Sequence, residues 1–213
     1  MKHSKYLHRV ELVRDSITQS LTQTEMDGML KVARALTRPW REGINSKPLI
    51  MTAGNGGSHA IAEHMCGELA WRLDKERELR LPCLCLTSNP TLLSALANDI
   101  KDPTEAISYY AGSLAWVPAE SKEEEAIPWL IGFSTSGRSR NLRTLFSTTH
   151  LNYPGQWWRK IVFTGPDWSS EDGSCIPADW AFQTKGSTDT TIIQEVHMVM
   201  MHLFCQMIHD SLN

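Results

Sequence analysis

Two sets of polar residues and two short loops carry the chemistry available to this chain. His64 and Glu68 stand four residues apart, so on a helix they share one face. An imidazole and a carboxylate one turn apart can chelate a divalent ion or pass a proton, and in isolation they read equally as a solvated pair. The second set is Gln194, Glu195, His197 and His202, in an otherwise apolar stretch of Val196, Met198, Val199, Met200, Met201, Leu203 and Phe204. A helix apolar nearly all round is buried, and a polar residue in it needs a partner. His197 lies about 140° from His202 round such a helix, so one site does not use both histidines. Gln194 and His202 are about 12 Å apart along it. If both serve one site, either long side chains converge or two subunits contribute. Taken alone, His202 reads as well as a core histidine bonded to backbone.

The first loop is Gly54-Asn55-Gly56-Gly57-Ser58. Its glycines let backbone approach a ligand, and the helix start that follows offers unpaired N–H groups and a positive dipole end. It is not a dinucleotide fingerprint, because His59 stands where the third glycine belongs, and not a Walker loop, because no Lys follows Gly57. By itself it reads as well as a tight turn. The second loop is Ser134-Thr135-Ser136-Gly137-Arg138-Ser139. Its four hydroxyls can hold a phosphate without a lysine. They also cap helices, and for this loop alone the capping reading comes first.

The elements that must position these residues alternate. Helices are expected over 5–22 and 24–42, with Thr24 as N-cap of the second and Gly43 at its end. Leu49 to Ala53 reads as a buried strand, followed by a helix to about Leu73 and a charged connection from Asp74 to Arg80. Then come a strand from Pro82 to Thr87, helices from Thr91 to Asn98 and Pro103 to Trp116, and a solvated charge run from Glu120 to Glu125. Pro128 to Phe133 is a strand, Arg138 to Phe146 a helix and Lys160 to Thr164 a strand. Asp167 to Lys185 reads as a long loop with one short strand in it, and Thr188 to Leu212 as the last helix, capped by Ser187 or Asp189. Strands alternating with helices imply a three-layer α/β sandwich, a central parallel sheet flanked by helices. The expected organisation is a single domain over 1–213, with N-terminal helices in 1–43 and the α/β core in 44–213.

Composition excludes several classes. With 213 residues, 41% hydrophobic and 21% charged, the chain is long enough for a real core. A net charge of −3 argues against nucleic acid as main ligand. No apolar run suits a membrane span, and no apolar signal core follows the first residues, so a cytoplasmic protein is expected. The five cysteines show no C-x-x-C spacing and read as reduced core thiols. The eight tryptophans read as core or subunit packing rather than a stacking surface.

Taken in order, Gly54-Asn55-Gly56-Gly57-Ser58, His64 with Glu68-Leu69-x-x-Arg72, Ala97-Asn98-Asp99, Ser134-Thr135-Ser136-Gly137-x-Ser139, Ser187-Thr188-Asp189-Thr190 and Gln194-Glu195-Val196-His197 with His202 resemble the phosphoheptose isomerases of the sugar isomerase (SIS) fold. The resemblance spans about residues 45–212. It implies a flavodoxin-like strand order and conversion of sedoheptulose 7-phosphate to D-glycero-D-manno-heptose 7-phosphate. It implies substrate contacts at Asn55, Gly56, Gly57, Ser58, Glu68, Asn98, Asp99, Ser134, Thr135, Ser136, Ser139 and Gln194. It places zinc ligands at His64, Glu68, Gln194 and His202, and implies a homotetramer with sites between subunits. Aldose–ketose isomerisation needs a base near carbon and an acid near oxygen, here Glu68 and His202. Arg138 and Arg140 depart from the small or amide residues common after Ser-Thr-Ser-Gly, Ile192 replaces an Arg, and the loops at 120–125 and 167–186 are longer than typical.

Two other readings stay open. Non-catalytic scaffolds of this fold bind a replication-initiation protein and lack the Glu and the second His, so Glu68 and His202 favour the enzyme. A sugar-phosphate-sensing regulator would bind ligand without turnover, and only a turnover assay separates it.

Overall fold

The computed structural model describes residues 2–43, 48–72, 80–114, 127–148 and 158–212. Apolar runs form the strands β1 (Ile50–Gly54), β2 (Cys83–Cys85), β3 (Trp129–Ser134), β4 (Arg159–Thr164) and β5 (Trp180–Gln183). They pair in the order β2-β1-β3-β4-β5, every pair parallel. This is the flavodoxin-like order.

Side chains alternate across each strand, so the sheet feeds two cores. Ile50, Ile131, Phe133, Ile161, Phe163 and Phe182 face one core, with α2 (Gln23–Arg41), α3 (Gly57–Gly67) and α7 (Thr190–Leu212). Met51, Ala53, Leu130 and Val162 face the other, with α5 (Ala106–Leu114) and α6 (Arg140–Thr148). Leu93 of α4 (Pro90–Asp99) packs against this second core. The result is the expected three-layer sandwich.

The helix α1 (Lys2–Ser20) packs on α7, so the N-terminal helices join the helical layer. Polar ties hold them there: Arg9 to Glu195 at 2.8 Å, Lys185 Nζ to Glu25 at 2.8 Å, and the Lys185 N–H donating to the buried Ser20 hydroxyl at 2.8 Å. Among the described residues no helix is long and apolar enough to cross a membrane. All five cysteines are free thiols. Trp129 stacks on Trp180 at 5.6 Å, as packing tryptophans should, while Trp71 is exposed with the Arg80 guanidinium 4.5 Å over its ring.

Several boundaries differ from the sequence expectation. The N-cap of α2 is Thr22, whose hydroxyl accepts the Glu25 N–H, rather than Thr24. The helix after the first loop does not run on as α: from Glu68 to Arg72 it widens into a π turn, and the Leu69 carbonyl accepts the Leu81 N–H at 3.1 Å. Pro103–Glu105 is a separate 3₁₀ turn, capped by Asp102, before α5. The positive φ of 65° at Gly137 delays α6 to Arg140. Asp189 caps α7, accepting from the N–H groups of Thr191 and Ile192. The charge run Glu120–Glu125, the connection 74–79, Trp116 and Trp157 lie outside the described residues.

His197 of α7 is fully buried between the Phe133 and Phe163 rings, and among the described residues no hydrogen bond of good geometry reaches either ring nitrogen. Burial pushes its pKa down to about 4, against a smaller raising contribution from the Thr164 backbone. The unfolded chain therefore binds the extra proton more tightly than the folded one. Stability is complete above about pH 6.5 and is lost as pH falls towards 4, by about 3 kcal/mol in all. Between pH 7.5 and 4 the urea midpoint of the wild type should fall further than that of His197→Leu, by the equivalent of about 3 kcal/mol. Parallel curves would show that this imidazole does not contribute to acid sensitivity.

Candidate active site

Both singled-out loops lie at carboxyl ends of neighbouring central strands, where a flavodoxin-like sheet reverses its strand order and takes its ligands. The first leaves β1 at Gly54 and enters α3 at Gly57, turning at Gly56 with φ 54°. Ser58 is buried, and its N–H donates to the Asn55 carbonyl at 3.0 Å. The second leaves β3 at Ser134. The hydroxyls of Ser134 and Ser139 meet at 2.9 Å, and Ser136 Oγ accepts the Arg138 N–H at 3.2 Å. The Thr135 carbonyl presses on Gly165, where any Cβ would collide with it.

The first loop is joined to the start of α6, just past the second loop, by a reciprocal amide pair. Asn55 and Asn141 each donate to the other's carbonyl oxygen, at 2.9 and 2.8 Å. Both line a cleft of about 350 Å³ whose walls include His59, Thr87, Leu93, Ala97 and Ile107. Asn98 and Asp99, hydrogen-bonded to each other at 3.0 Å, follow Ala97 at the end of α4.

Arg138 and Arg140 each meet an aspartate of their own, Asp172 and Asp102, at 2.9 Å. Hydrogen bonds from Ser174 and then from Arg138 hold the Asp172 carboxyl well below the ordinary range. Asp102 is lowered first by Thr104 and then by Arg140.

The acid–base residues come together between α3 and α7. His64 Nε2 lies 3.3 Å from Glu68 Oε1 and 3.1 Å from His202 Nε2. One donor atom from each of the three falls within 4.8 Å of the others. Glu68 is only 17% exposed on its side chain, and the π turn begins at it. A tetrahedral ion with bonds of about 2.0–2.1 Å sets its donors about 3.3 Å apart, so two imidazoles and a carboxylate at these separations fit a zinc ion. The amide of Gln194 packs beside Gly57: a Cβ there would stand 2.5 Å from Gln194 Oε1. One chain therefore brings His64, Glu68 and His202 together with no second subunit. His197 faces the core, and Glu195 pairs with Arg9.

Sequence reasoning missed Asn141, Thr87 and Asp172, which belong to no local motif. It noted His59 only as a glycine replacement, yet His59 Nδ1 meets Thr87 Oγ1 at 2.8 Å on the cleft wall.

No family model matches the chain. Among known proteins it is similar to the phosphoheptose isomerase of Maridesulfovibrio salexigens, 32% identical over 200 residues, covering 94% of this chain and 84% of that protein. The chain belongs to the phosphoheptose isomerase family. The phosphoheptose isomerase of Thermodesulfovibrio yellowstonii is 31% identical over 173 residues, 80% of this chain and 76% of that protein. The structure of a phosphoheptose isomerase from Francisella tularensis superposes with a TM-score of 0.70 at 19% identity, over 98% of this chain and 96% of that one, which shows the common fold.

Within the family frame the contact between Gly57 and Gln194 is open to test. Only the flexible end of Gln194 would have to yield to a Cβ, so Gly57→Ala should fold with nearly wild-type stability. Its displaced amide should lower isomerase activity while the thermal midpoint moves by no more than a few degrees. Full activity would show that the amide's position is immaterial.

Proposed function

We infer that this chain is an aldose–ketose isomerase that converts sedoheptulose 7-phosphate to D-glycero-D-manno-heptose 7-phosphate, the first step towards a nucleotide-activated heptose. The observation that carries the reading is the meeting of Glu68 and His202, 134 residues apart in sequence, in one small cluster between α3 and α7.

The phosphate sits between the two loops, against Asn55, Gly56, Gly57 and Ser58 on one side and Ser134, Thr135, Ser136 and Ser139 on the other. Hydroxyls and N–H groups at two helix starts supply neutral donors suited to it. Asn98, Asp99 and Gln194 contact the sugar hydroxyls. Glu68 takes a proton from C1 of the ketose while His202 gives one to the C2 oxygen, leaving an enediol. Glu68 then returns its proton to C2, His202 recovers one from the C1 hydroxyl, and the carbonyl stands on C1.

His64, Glu68 and His202, with Gln194 added by the family resemblance, would hold zinc, which when bound polarises the substrate carbonyl as a Lewis acid. A homotetramer with sites between subunits belongs to the same reading. Tyr6, Leu7 and Val10, 64–70% exposed on α1, are apolar residues that a partner subunit would cover. The five free thiols agree with a cytoplasmic protein.

Incubation with sedoheptulose 7-phosphate should yield the aldose. Glu68→Gln and His202→Ala should each lower kcat by roughly 10²- to 10⁴-fold. Near-normal turnover in either variant removes that residue's role, and no turnover in the wild type would leave the binding regulator. Zinc should raise the thermal midpoint of the chelator-treated wild type and raise that of His64→Ala much less. An equal rise in both would place the ion elsewhere.

A further inference from the structure

We propose that Arg138 is a positioning residue, which clamps the 167–174 loop against the Ser134–Ser139 turn and thereby sets the turn's aim at the substrate phosphate. The inference rests on the phosphate reading of that turn. The guanidinium of Arg138 donates to Ser174 Oγ at 3.2 Å, to the Asp167 carbonyl at 3.1 Å and to Asp172 Oδ2 at 2.9 Å. Asp172 is itself fixed, since its other oxygen accepts the Ser174 N–H at 2.8 Å. The backbone repeats the connection where the Ile176 N–H donates to the Gly137 carbonyl at 2.8 Å. Trp168 closes the arrangement. Its Nε1 donates to the Ile176 carbonyl at 2.9 Å, and its side chain lies so close to Gly137 that a Cβ there would stand 3.0 Å from the ring.

A cation within a phosphate loop invites the assumption that it binds the phosphate. The geometry points elsewhere, because this guanidinium is turned to the 167–174 loop and meets a carboxylate there. A planar fork with several donors can span three acceptors, which a lysine ammonium or a small side chain cannot do in the same way. The long loop and Arg138 are thus one device: the loop supplies the acceptors, and Arg138 ties them to the turn.

The two roles differ in sign. If Arg138 touched the phosphate directly, Asp172→Asn would free the cation and tighten substrate binding. If Arg138 is a clamp, Asp172→Asn loosens the turn just as Arg138→Ala does. The substituted amide keeps an oxygen that can accept the Ser174 N–H, so Asp172→Asn cuts the clamp with little other change to the loop.

The test measures KM and kcat for sedoheptulose 7-phosphate, and the affinity for inorganic phosphate by calorimetry, in the wild type, Arg138→Ala, Arg138→Lys, Asp172→Asn and the double variant Arg138→Ala/Asp172→Asn. KM and the phosphate dissociation constant should rise roughly ten-fold in Arg138→Ala and in Asp172→Asn, with kcat within about two-fold of wild type. Arg138→Lys should fall between, and the double variant should be no worse than either single one, because both break the same contact. Unchanged KM in both single variants, or a lower KM in Asp172→Asn, overturns the clamp. A loss of kcat at constant KM overturns it too. A wild type that binds phosphate but does not turn over the sugar refutes the isomerase reading alone, and the phosphate affinities of the variants then decide the clamp. A wild type that binds no phosphate overturns both.

Discussion

The site depends on how α3 lies against α7. The helices run side by side in the same direction, as two contacts show: Gly57 against Gln194 at one end and His64 against His202 further along. Seven residues of α3 rise about 10.5 Å and eight of α7 about 12 Å, so a contact at the first pair nearly sets the second. The missing side chain at Gly57 is what allows the first pair to close. With the helices in this alignment, the carboxylate of Glu68, one turn beyond His64, comes within reach of the imidazole of His202.

What holds α7 there is not polar. Ile192, Ile193, Val196, Met200, Met201, Phe204 and Ile208 are all buried, most of them in the core shared with α2 and α3, and Phe204 meets Phe163 and Phe182 of the sheet. Hydrophobic burial of this kind, of order 1.5–3 kcal/mol for each large side chain, outweighs any exposed ion pair on the surface. The acid–base pair is thus positioned by apolar packing behind it. His197 is the exception inside that packing, a histidine kept neutral by burial. The polar contacts at the other side of the site, Asn55 with Asn141, Arg138 with Asp172 and Arg140 with Asp102, act differently: each is exposed and weak in energy, yet together they fix the directions of the two loops.

Much of this was legible in the residues alone. The glycines of 54–57 and the hydroxyls of 134–139 announce themselves by residue type, and the four-residue spacing of His64 and Glu68 is a local property of any helix. Element types were also legible, because apolar runs and helical periods are local. Boundaries were less so. Thr22 and Thr24 are both acceptable caps by type, and only the path of the backbone makes Thr22 the acceptor of the Glu25 N–H. The π turn at Glu68–Arg72 has no sequence mark, since it arises where the Leu69 carbonyl finds the Leu81 N–H on a distant segment.

By itself the sequence determined the kinds of groups present and their local spacing: a parallel α/β architecture, two loops suited to phosphate, a helical His–Glu pair and a buried final helix holding two histidines. The local period also separated His197 from His202, because about 140° round a helix cannot face one site. Only the tertiary structure decided that His64, Glu68 and His202 meet within one chain, that Gln194 lies beside Gly57, and that Arg138 and Arg140 are each taken up by an aspartate. The physical reason is the range of the interactions. Spacing along one helix is set by bonds between neighbouring residues, whereas the alignment of two helices, or the partner of a long cation, is set by packing among segments far apart in the chain.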